Sequence, residues 1–178
     1  ALRAIPSMSM VIDADVLFDP TDGLHVNAQS RGRTWERPAS IEVIDPISGD
    51  EVQANCGLRM HGGWNRYPEM LKKSFRLYFR SEYGDSKFKF PLFPDVDIGE
   101  FDRLILRSGN GKAWASPWRA LSGGGNSLER NTYLRDQFVR DLQAATGNPH
   151  IPGRFVHLYI NGHYWGLYNP VERPDEHF

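Results

Sequence analysis

The chain has 178 residues, 40% hydrophobic and 24% charged, with a formal net charge of −1, which is typical of one soluble globular domain and argues against a disordered or collagen-like protein. The balanced charge does not favour a dedicated nucleic-acid binder, and no apolar run approaches the roughly 20 residues that span a bilayer. Cys56 is the only cysteine, so the chain can form neither an internal disulfide nor a cysteine-rich metal site.

The first third of the chain predicts antiparallel strands joined by a long loop. Residues 7–12 alternate between serine and apolar residues, as a half-buried strand does, and turn-forming residues fill 13–37. Two further strand-like runs, 39–45 and 51–59, flank a short turn that contains proline and glycine. This arrangement predicts an antiparallel hairpin.

Residues 72–80 carry the clearest strand pattern, with apolar and polar side chains in strict alternation. Lys73 shares the phase of the apolar face, so we expect its side chain to start inside the protein and to need an anionic partner. Lys72 falls on the wetter face. Residues 101–107 predict one more short strand, followed by a loop rich in glycine and tryptophan at 108–125.

Residues 131–146 predict the one clear helix of the chain. Leu134, Phe138 and Leu142 fall on a stripe with the helical period of 3.6 residues, and Gly147 ends the pattern. Because this stripe matches the apolar face of the strand at 72–80, we expect the helix to pack against the sheet.

A second hairpin is predicted near the end of the sequence. Two runs rich in aromatic and β-branched residues, 155–160 and 163–168, flank Asn161 and Gly162, which together are a strong signal for a two-residue turn. No alternation of strands and helices demands a parallel sheet. The predicted fold class is therefore α+β, a mainly antiparallel sheet with one main packed helix.

Four motifs occur in an order and spacing typical of one family. They are GLRMHGG at 57–63, KKSFRL at 72–77, LRD at 134–136, and NGHYWGLY at 161–168 with Glu172 after it. With these motifs the chain resembles the spore-coat CotH kinase family. The loop that begins at Gly62 departs from the Gly-Asn-Ser-Ser-like sequence of the family's better-known members.

The resemblance implies an atypical protein kinase, secreted or held at the cell or spore surface, that transfers the γ-phosphoryl group of ATP to a protein substrate with Mg²⁺ or Mn²⁺. The fold it implies is similar to the nucleotide-binding lobe of two-lobed kinases. Residues 1–178 would be a fragment of one domain, with an extended strand and loop at 1–38, a lobe-like core at 39–178, and no C-terminal lobe. The catalytic and metal-binding carboxylates would then follow Phe178, so the fragment alone is expected to be inactive.

The same resemblance assigns nucleotide binding to a set of seven residues: Lys73, Lys72, Arg59, Gly62, Gly63, Asp136 and Glu172. In protein kinases a lysine pairs with the nucleotide phosphates and a helix carboxylate holds that lysine. Either lysine fits the first role, and either Asp136 or Glu129 fits the second. Glycines such as Gly62 let main-chain amides approach an anion closely. No residue is predicted to bind metal, because His61 has no second ligand at a suitable spacing.

Ordinary structural roles remain open for all of these residues. Lysines at a strand start are often solvated charges, a glycine pair is often just a turn, and Asp136 suits the positive end of a helix. Glu172 also suits a salt bridge at a strand end. Two other functions remain open as well: a non-catalytic extracellular coat-assembly or adhesion module, and a β-rich domain that binds glycans if several tryptophans share one exposed face.

Overall fold

The computed structural model describes residues 3–109 and 132–174. Most of the predicted loop at 108–125, together with Glu129, lies outside the described residues. The strands are β1 (Ser7–Val11), β2 (Arg37–Ile44), β3 (Glu51–His61), β4 (Ser74–Tyr78), β5 (Phe88–Lys89), β6 (Glu100–Phe101), β7 (Arg103–Arg107), β8 (Val156–Ile160) and β9 (His163–Glu172). The helices are α1 (Ala14–Phe18) and α2 (Arg135–Ala145). Neither helix in this described part of the chain has the length and apolar composition to cross a membrane.

Seven of the strands close a barrel in the order β1-β2-β3-β4-β7-β9-β8, and β5 and β6 form a separate small sheet. Neighbouring barrel strands are antiparallel, except that β1 and β8 pair in parallel and complete the barrel. The parallel pair aligns Ser7 with His157, so the barrel closes between distant parts of the chain. Closure leaves no open edge in this sheet.

The barrel interior is filled by alternate side chains of its strands. The fully buried apolar residues include Met8, Met10, Ile41, Val43, Leu58, Leu77, Leu104, Leu106, Val156 and Leu158. Each such side chain contributes about 1.5–3 kcal/mol by leaving water. Cys56 is also buried and unpaired, as expected of the only cysteine.

The predicted α+β class, a sheet with one main packed helix like a kinase nucleotide lobe, is wrong. The fold is mostly β, a closed barrel, and the apolar stripe of α2 faces solvent: Leu134 is 54% exposed, Phe138 60% and Leu142 51%. The physical reason is that a closed barrel buries its own apolar face against itself, so no apolar sheet surface is left for the helix. Arg140 is instead the buried residue of α2.

Polar contacts hold α2 on the outer face of β9. The Arg140 guanidinium donates to the side-chain oxygen of Asn169, and the Asn169 amide donates to Gln137 Oε1 at 3.0 Å. Gly153 permits this approach, because a Cβ there would lie 2.5 Å from Gln137 Oε1. The helical period was thus present in the sequence without the apolar packing that usually accompanies it.

Both strong strand predictions are confirmed. β4 pairs antiparallel with β3 and β7, and β8 and β9 form the predicted hairpin. Asn161 and Gly162 turn this hairpin with φ values of 50° and 79°, as a type I′ turn requires. The Asn161 side chain also joins the turn to the end of β1, because Ile12 N donates to its Oδ1 at 3.0 Å.

Candidate anion-binding cleft

The outer faces of β3 and β4, together with loops near residues 30 and 66, form a strongly basic cleft with a volume of about 320 Å³. We call it the arginine cleft, because its charged lining residues are Arg31, Arg59, Arg66 and Arg76, with His61 beside them. Trp35 and Tyr78 add aromatic surface. Among the residues that the structure describes, no carboxylate lines it.

Strand register places two of these arginines opposite each other. Arg59 on β3 pairs with Arg76 on β4, and both side chains lie on the outer face of the barrel. Like charges directly opposite each other in a sheet are destabilising unless something offsets them. Part of the compensation is the ring of Tyr78, whose centroid lies 4.4 Å from the Arg59 guanidinium carbon and 5.9 Å from that of Arg76.

A buried carboxylate neutralises Arg59. The Arg59 Nε donates to Glu36 Oε2 at 2.7 Å, and the same carboxylate accepts from Arg80 Nε at 3.2 Å and from the Tyr83 hydroxyl at 3.1 Å. Burial and the neighbouring Glu36 raise the pKa of Tyr83 to about 12, so this hydroxyl keeps its proton. Gly57 is needed beside the carboxylate, because a Cβ there would lie 2.6 Å from Glu36 Oε1. Arg59 therefore forms a structural wall of the cleft.

Arg66 and Arg76 are held in place without a carboxylate. Arg66 donates to the carbonyls of Ser30 at 3.1 Å and Met60 at 2.5 Å, while Arg76 donates to the Tyr78 hydroxyl at 3.1 Å. The Nε atoms of both arginines are buried and have no hydrogen-bond partner. Burial lowers the pKa of Arg66, and nearby Arg31 and Arg76 lower it further, yet a guanidinium stays charged at neutral pH.

The pKa of His61 is lowered by its burial in this basic region. Burial lowers its pKa to about 4, and Arg76, Arg66, Arg107 and Arg173 lower it in the same direction. The ring is therefore neutral at pH 7. Arg76 Nη2 donates to His61 Nδ1 at 2.7 Å, which places the ring proton on Nε2. His61 thus orients Arg76 while adding no charge of its own.

A second cleft of about 340 Å³ adjoins the first and shares Arg31 and Arg66 with it. Its other walls include Gln29, Gly63 and the rings of Trp64 and Tyr67, and we call it the aromatic cleft. The two rings stack with centroids 5.1 Å apart and an interplanar angle of 25°. Gly62, which lines the first cleft, has a φ of 107° and leaves room for Asn65.

The two predicted phosphate-binding lysines lie outside both clefts. Lys73 is 2% exposed, as its strand phase predicted, but its Nζ donates to the carbonyls of Tyr67 and Met70, each at 2.9 Å. Two main-chain oxygens therefore occupy the place where we expected a carboxylate. Lys72 Nζ donates to the carbonyl of Leu167 at 2.5 Å, and burial lowers its pKa to about 8.

The remaining predicted residues are divided between two parts of the barrel. Asp136 at the start of α2 forms an ion pair with Arg107, and Glu172 lies on β9 opposite Leu104. Arg59 and Gly62 lie together in the arginine cleft, and Gly63 lies in the adjoining aromatic cleft. The structure thus brings two of the seven residues into the arginine cleft and a third into the cleft beside it.

Sequence reasoning missed the three arginines that give the cleft its net charge. Arg76 belongs to the KKSFRL motif and to the alternation of β4, but neither pattern marked it as a binding residue. Arg31 and Arg66 lie outside the barrel strands, where no periodicity marks them. A donor set of guanidinium groups suits an anion such as phosphate, which arginine binds in bidentate fashion.

The described tryptophans do not form a single exposed surface. Trp35 and Trp165 both pack against the hydrophobic core, and Trp165 lies 6.3 Å from the ring of Phe18. Trp64 is 62% exposed. This arrangement does not favour the stacking platform that a glycan-binding domain uses.

The described residues do not fit a metal site. Within 3–109 and 132–174, no three or more His, Cys, Asp or Glu side chains come close enough together to hold a metal ion. The Mg²⁺ or Mn²⁺ that the family resemblance implies therefore has no ligand set among these residues. What they offer chemically is a fixed, positively charged surface.

Comparison with known proteins identifies the family. No curated protein matches the chain. The sequence profile of the family described as CotH kinase protein matches residues 58–178, which is well over half of the chain and includes the end of β3, all of β4 and α2, and the β8–β9 hairpin. The chain therefore belongs to the CotH kinase family.

Proposed function

We propose that this chain binds the phosphates of ATP for a CotH-like protein kinase, which transfers the γ-phosphoryl group to a hydroxyl of a protein substrate. The observation that carries the proposal is the arginine cleft. Within the described part of the chain, Arg31, Arg66 and Arg76 form no ion pair with a carboxylate, and two of their Nε atoms are buried without a partner. An anion bound in the cleft would compensate the positive charge of these three guanidinium groups.

The cleft is suited to hold a polyphosphate in one orientation. Arg66 is tied to two main-chain carbonyls and Arg76 to Tyr78 and His61, so neither guanidinium has to be ordered when the ligand arrives. Fixed donors of this kind stabilise developing negative charge without reorganisation. Phosphoryl transfer depends mainly on such positioning and electrostatic stabilisation.

The proposal assigns only part of the chemistry to the described residues. When bound, Mg²⁺ or Mn²⁺ supplies charge neutralisation between the phosphates in kinases. Because the described residues offer no ligand set for such an ion, we assign them no step that involves the metal. We assign them the binding and orientation of the phosphate groups by Arg31, Arg66 and Arg76, with His61 and Tyr78 as the groups that orient Arg76.

A non-catalytic adhesion or coat-assembly role is the second candidate, and one observation favours it. The exposed stripe of α2 includes Phe138, which is 60% exposed, and Leu142, which is 51% exposed. Exposed apolar side chains that lie together on one helix face often mark a protein-binding surface. In this alternative the arginine cleft would serve surface contacts and would not bind nucleotide.

The proposal is tested by measuring ATP binding and phosphoryl transfer with the natural protein that contains this sequence. Arg31→Gln is the informative change, because Arg31 lines both clefts and makes none of the structural hydrogen bonds of Arg66 and Arg76. A charge-assisted hydrogen bond is worth about 1.5–3 kcal/mol, so we expect the Kd for ATP to rise about tenfold or more.

Lys89→Gln is the matched control, because it removes one positive charge from the separate β5–β6 sheet. We expect it to leave ATP affinity and the labelling of substrate by γ-labelled ATP unchanged. A natural protein that neither binds ATP nor transfers phosphate, with folding intact, would favour the adhesion role.

A further inference from the structure

The aromatic cleft is positively charged and open to a large ligand. Arg31 and Arg66 line it, and among the residues that the structure describes no carboxylate does. Trp64 is 62% exposed and Tyr67 42%, although both rings line the cleft. Side chains that another protein presents on its surface can therefore reach these walls.

Two residues of the aromatic cleft match the main chain of a peptide. Gln29 is exposed on the cleft wall, and its carboxamide offers the same donor and acceptor as a peptide group. A Cβ at Gly63 would have no heavy atom of the described residues within 4 Å apart from its neighbours in sequence, so another chain can approach the main chain there. Main-chain contacts of this kind hold extended peptides, while pockets for the side chains provide specificity.

The stacked rings of Trp64 and Tyr67 provide the apolar part of the cleft. Their centroids lie 5.1 Å apart at an interplanar angle of 25°, so the two rings form one aromatic wall. Grooves lined by aromatic side chains bind proline-containing segments, whose extended conformation is already restricted before binding. The wall therefore suits an extended segment that contains proline.

The walls of the aromatic cleft are held in place from inside the protein. Arg66 connects the loop at Ser30 to the end of β3 through the carbonyls of Ser30 and Met60. The buried Lys73 ammonium donates to the carbonyl of Tyr67 at 2.9 Å. Preorganised walls reduce the entropy that binding costs.

Charge determines which peptides the cleft accepts. A guanidinium such as that of Arg31 can donate two parallel hydrogen bonds to one carboxylate. A basic peptide would bring like charges to Arg31 and Arg66, and such contacts suppress wrong partners. Both arginines also line the arginine cleft, so they offset the repulsion between a peptide carboxylate and phosphates bound there.

We propose that the aromatic cleft binds an acidic, proline-containing segment of the protein substrate. Its carboxylates contact Arg31 and Arg66, and its apolar residues pack on Trp64 and Tyr67. The proposal rests on the proposed function, because it places this segment beside the phosphates of ATP. It assigns the substrate class as proteins whose acceptor hydroxyl lies close to acidic residues in an extended segment.

Three short synthetic peptides test the charge preference by calorimetric titration of the natural protein that contains this sequence. Each has one central serine and several prolines, and the remaining positions are all glutamate, all glutamine or all lysine. We expect the glutamate peptide to bind about tenfold more tightly than the glutamine peptide, the equivalent of one charge-assisted hydrogen bond. The lysine peptide should show no measurable binding. Equal Kd values for the glutamate and glutamine peptides would overturn the proposal.

Substitution of Trp64 tests the location of the peptide. Trp64→Ala should raise the Kd for the glutamate peptide about tenfold, as loss of a central aromatic side chain often does at an interface. Trp64→Phe keeps a ring and should recover most of the affinity, which excludes a general folding defect. Tyr164→Ala is the matched control, because it removes a ring of 52% exposure from β9, and it should leave the Kd unchanged. An unchanged Kd in Trp64→Ala would mean that the peptide binds elsewhere.

Inorganic tripolyphosphate, which carries the phosphates of ATP without the nucleoside, separates this proposal from the proposed function. The glutamate peptide should still bind when tripolyphosphate is saturating, and Trp64→Ala should leave the Kd for tripolyphosphate unchanged. If tripolyphosphate displaces the peptide, both ligands occupy the arginine cleft, and peptide binding in the aromatic cleft is overturned while phosphate binding stands.

Phosphoryl transfer provides the last comparison. Transfer of label from γ-labelled ATP to the glutamate peptide, with none to the lysine peptide, supports both proposals. If the protein binds the glutamate peptide but neither ATP nor tripolyphosphate, the proposed function fails. The assignment of the peptide as a substrate then fails with it, and the adhesion role is favoured.

Discussion

The outer face of the barrel carries arginines in two regions that compensate their charge differently. Where β7 and β9 meet α2, Arg107 pairs with Asp136, and Arg140 lies within the electrostatic reach of Asp136 and Asp141. Among the arginines that line the arginine cleft, only Arg59 has a carboxylate, that of Glu36, while Arg66 and Arg76 have none among the described residues. The two regions are neighbours on one sheet, yet one is neutralised and the other is not.

The difference separates arginines that hold the fold together from arginines that remain available to a ligand. In the α2 region, guanidiniums attach a helix to the barrel through polar contacts with Asn169 and Asp136. In the arginine cleft, burial lowers the pKa of His61 to about 4, and the positive charges of Arg76 and Arg66 lower it in the same direction. An arginine count alone would not distinguish these regions. The positions of the carboxylates do.

The largest expected effect tests whether α2 is an attachment on a barrel that is already complete. Phe75→Ala removes a side chain that is 1% exposed and lies 6.0 Å from the Tyr168 ring, so we expect the free energy of unfolding to fall by about 3–5 kcal/mol. Phe138→Ala on α2 should change it by no more than about 0.5 kcal/mol. Urea denaturation measures both. A large loss in Phe138→Ala would mean that the helix stripe is buried.

The next effect compares the carboxylates of the two regions. Glu36→Gln removes the carboxylate that Arg59 and Arg80 share, and the Glu36 side chain is only 2% exposed. We therefore expect the free energy of unfolding to fall by about 3 kcal/mol. Asp136→Asn removes a partner that is 51% exposed and should cost about 1 kcal/mol or less. The midpoints of urea denaturation of the two variants provide the comparison. Equal losses would contradict the different burial of the two pairs.

Much of the barrel could be predicted from local patterns, and its closure could not. The two-residue period of β4 and the turn at Asn161 and Gly162 depend on residues that are close in sequence. The sequence therefore predicted both the strand β4 and the β8–β9 hairpin. The same phase placed Lys73 in the interior. Closure depends on β1 pairing with β8, which lies nearly the whole chain away. Because local patterns do not show that pairing, they predict that the apolar stripe of α2 packs on the sheet.

The candidate site was predictable only in part, for a related reason. Arg59 and Gly62 belong to a motif that is continuous in sequence, and the structure places them in one cleft. The contribution of Arg76 depends on the register that sets it opposite Arg59. Arg31 reaches the cleft through a loop conformation that no pattern specifies. Net charge gave no sign of the cleft either, because acidic residues elsewhere balance the total at −1.

A smaller effect tests the availability of the two kinds of arginine to a ligand. Arg76→Gln removes an uncompensated guanidinium, and we expect the Kd for tripolyphosphate to rise about tenfold, the equivalent of one charge-assisted hydrogen bond. Arg107→Gln removes a guanidinium that Asp136 already neutralises, so the Kd should change by less than about twofold. Calorimetric titration measures both. Similar losses in the two variants would mean that the whole outer face acts as one diffuse basic surface.

The smallest expected effect uses His61 to sense the field of the arginine cleft. Its pKa is about 4 when the chain is folded, against an ordinary value of 6.5, so between these values the unfolded chain takes up a proton that the folded chain refuses. The contribution of His61 to the free energy of unfolding is fully present above pH 6.5. It declines as the pH falls towards 4, by up to about 1 kcal/mol per pH unit.

His61→Gln should therefore reduce the decline in the free energy of unfolding between pH 6.5 and 5. Urea denaturation of the variant and of the natural sequence at several pH values measures this decline. Saturating tripolyphosphate should reduce the decline in the natural sequence as well, because a bound anion offsets the arginines that oppose protonation of His61. An anion that binds elsewhere would leave the pH dependence of the natural sequence as it is without ligand. Parallel curves for the variant and the natural sequence would mean that neither burial nor the charges of Arg76 and Arg66 lower the pKa of His61, and the contrast between the two arginine regions would then lose this support.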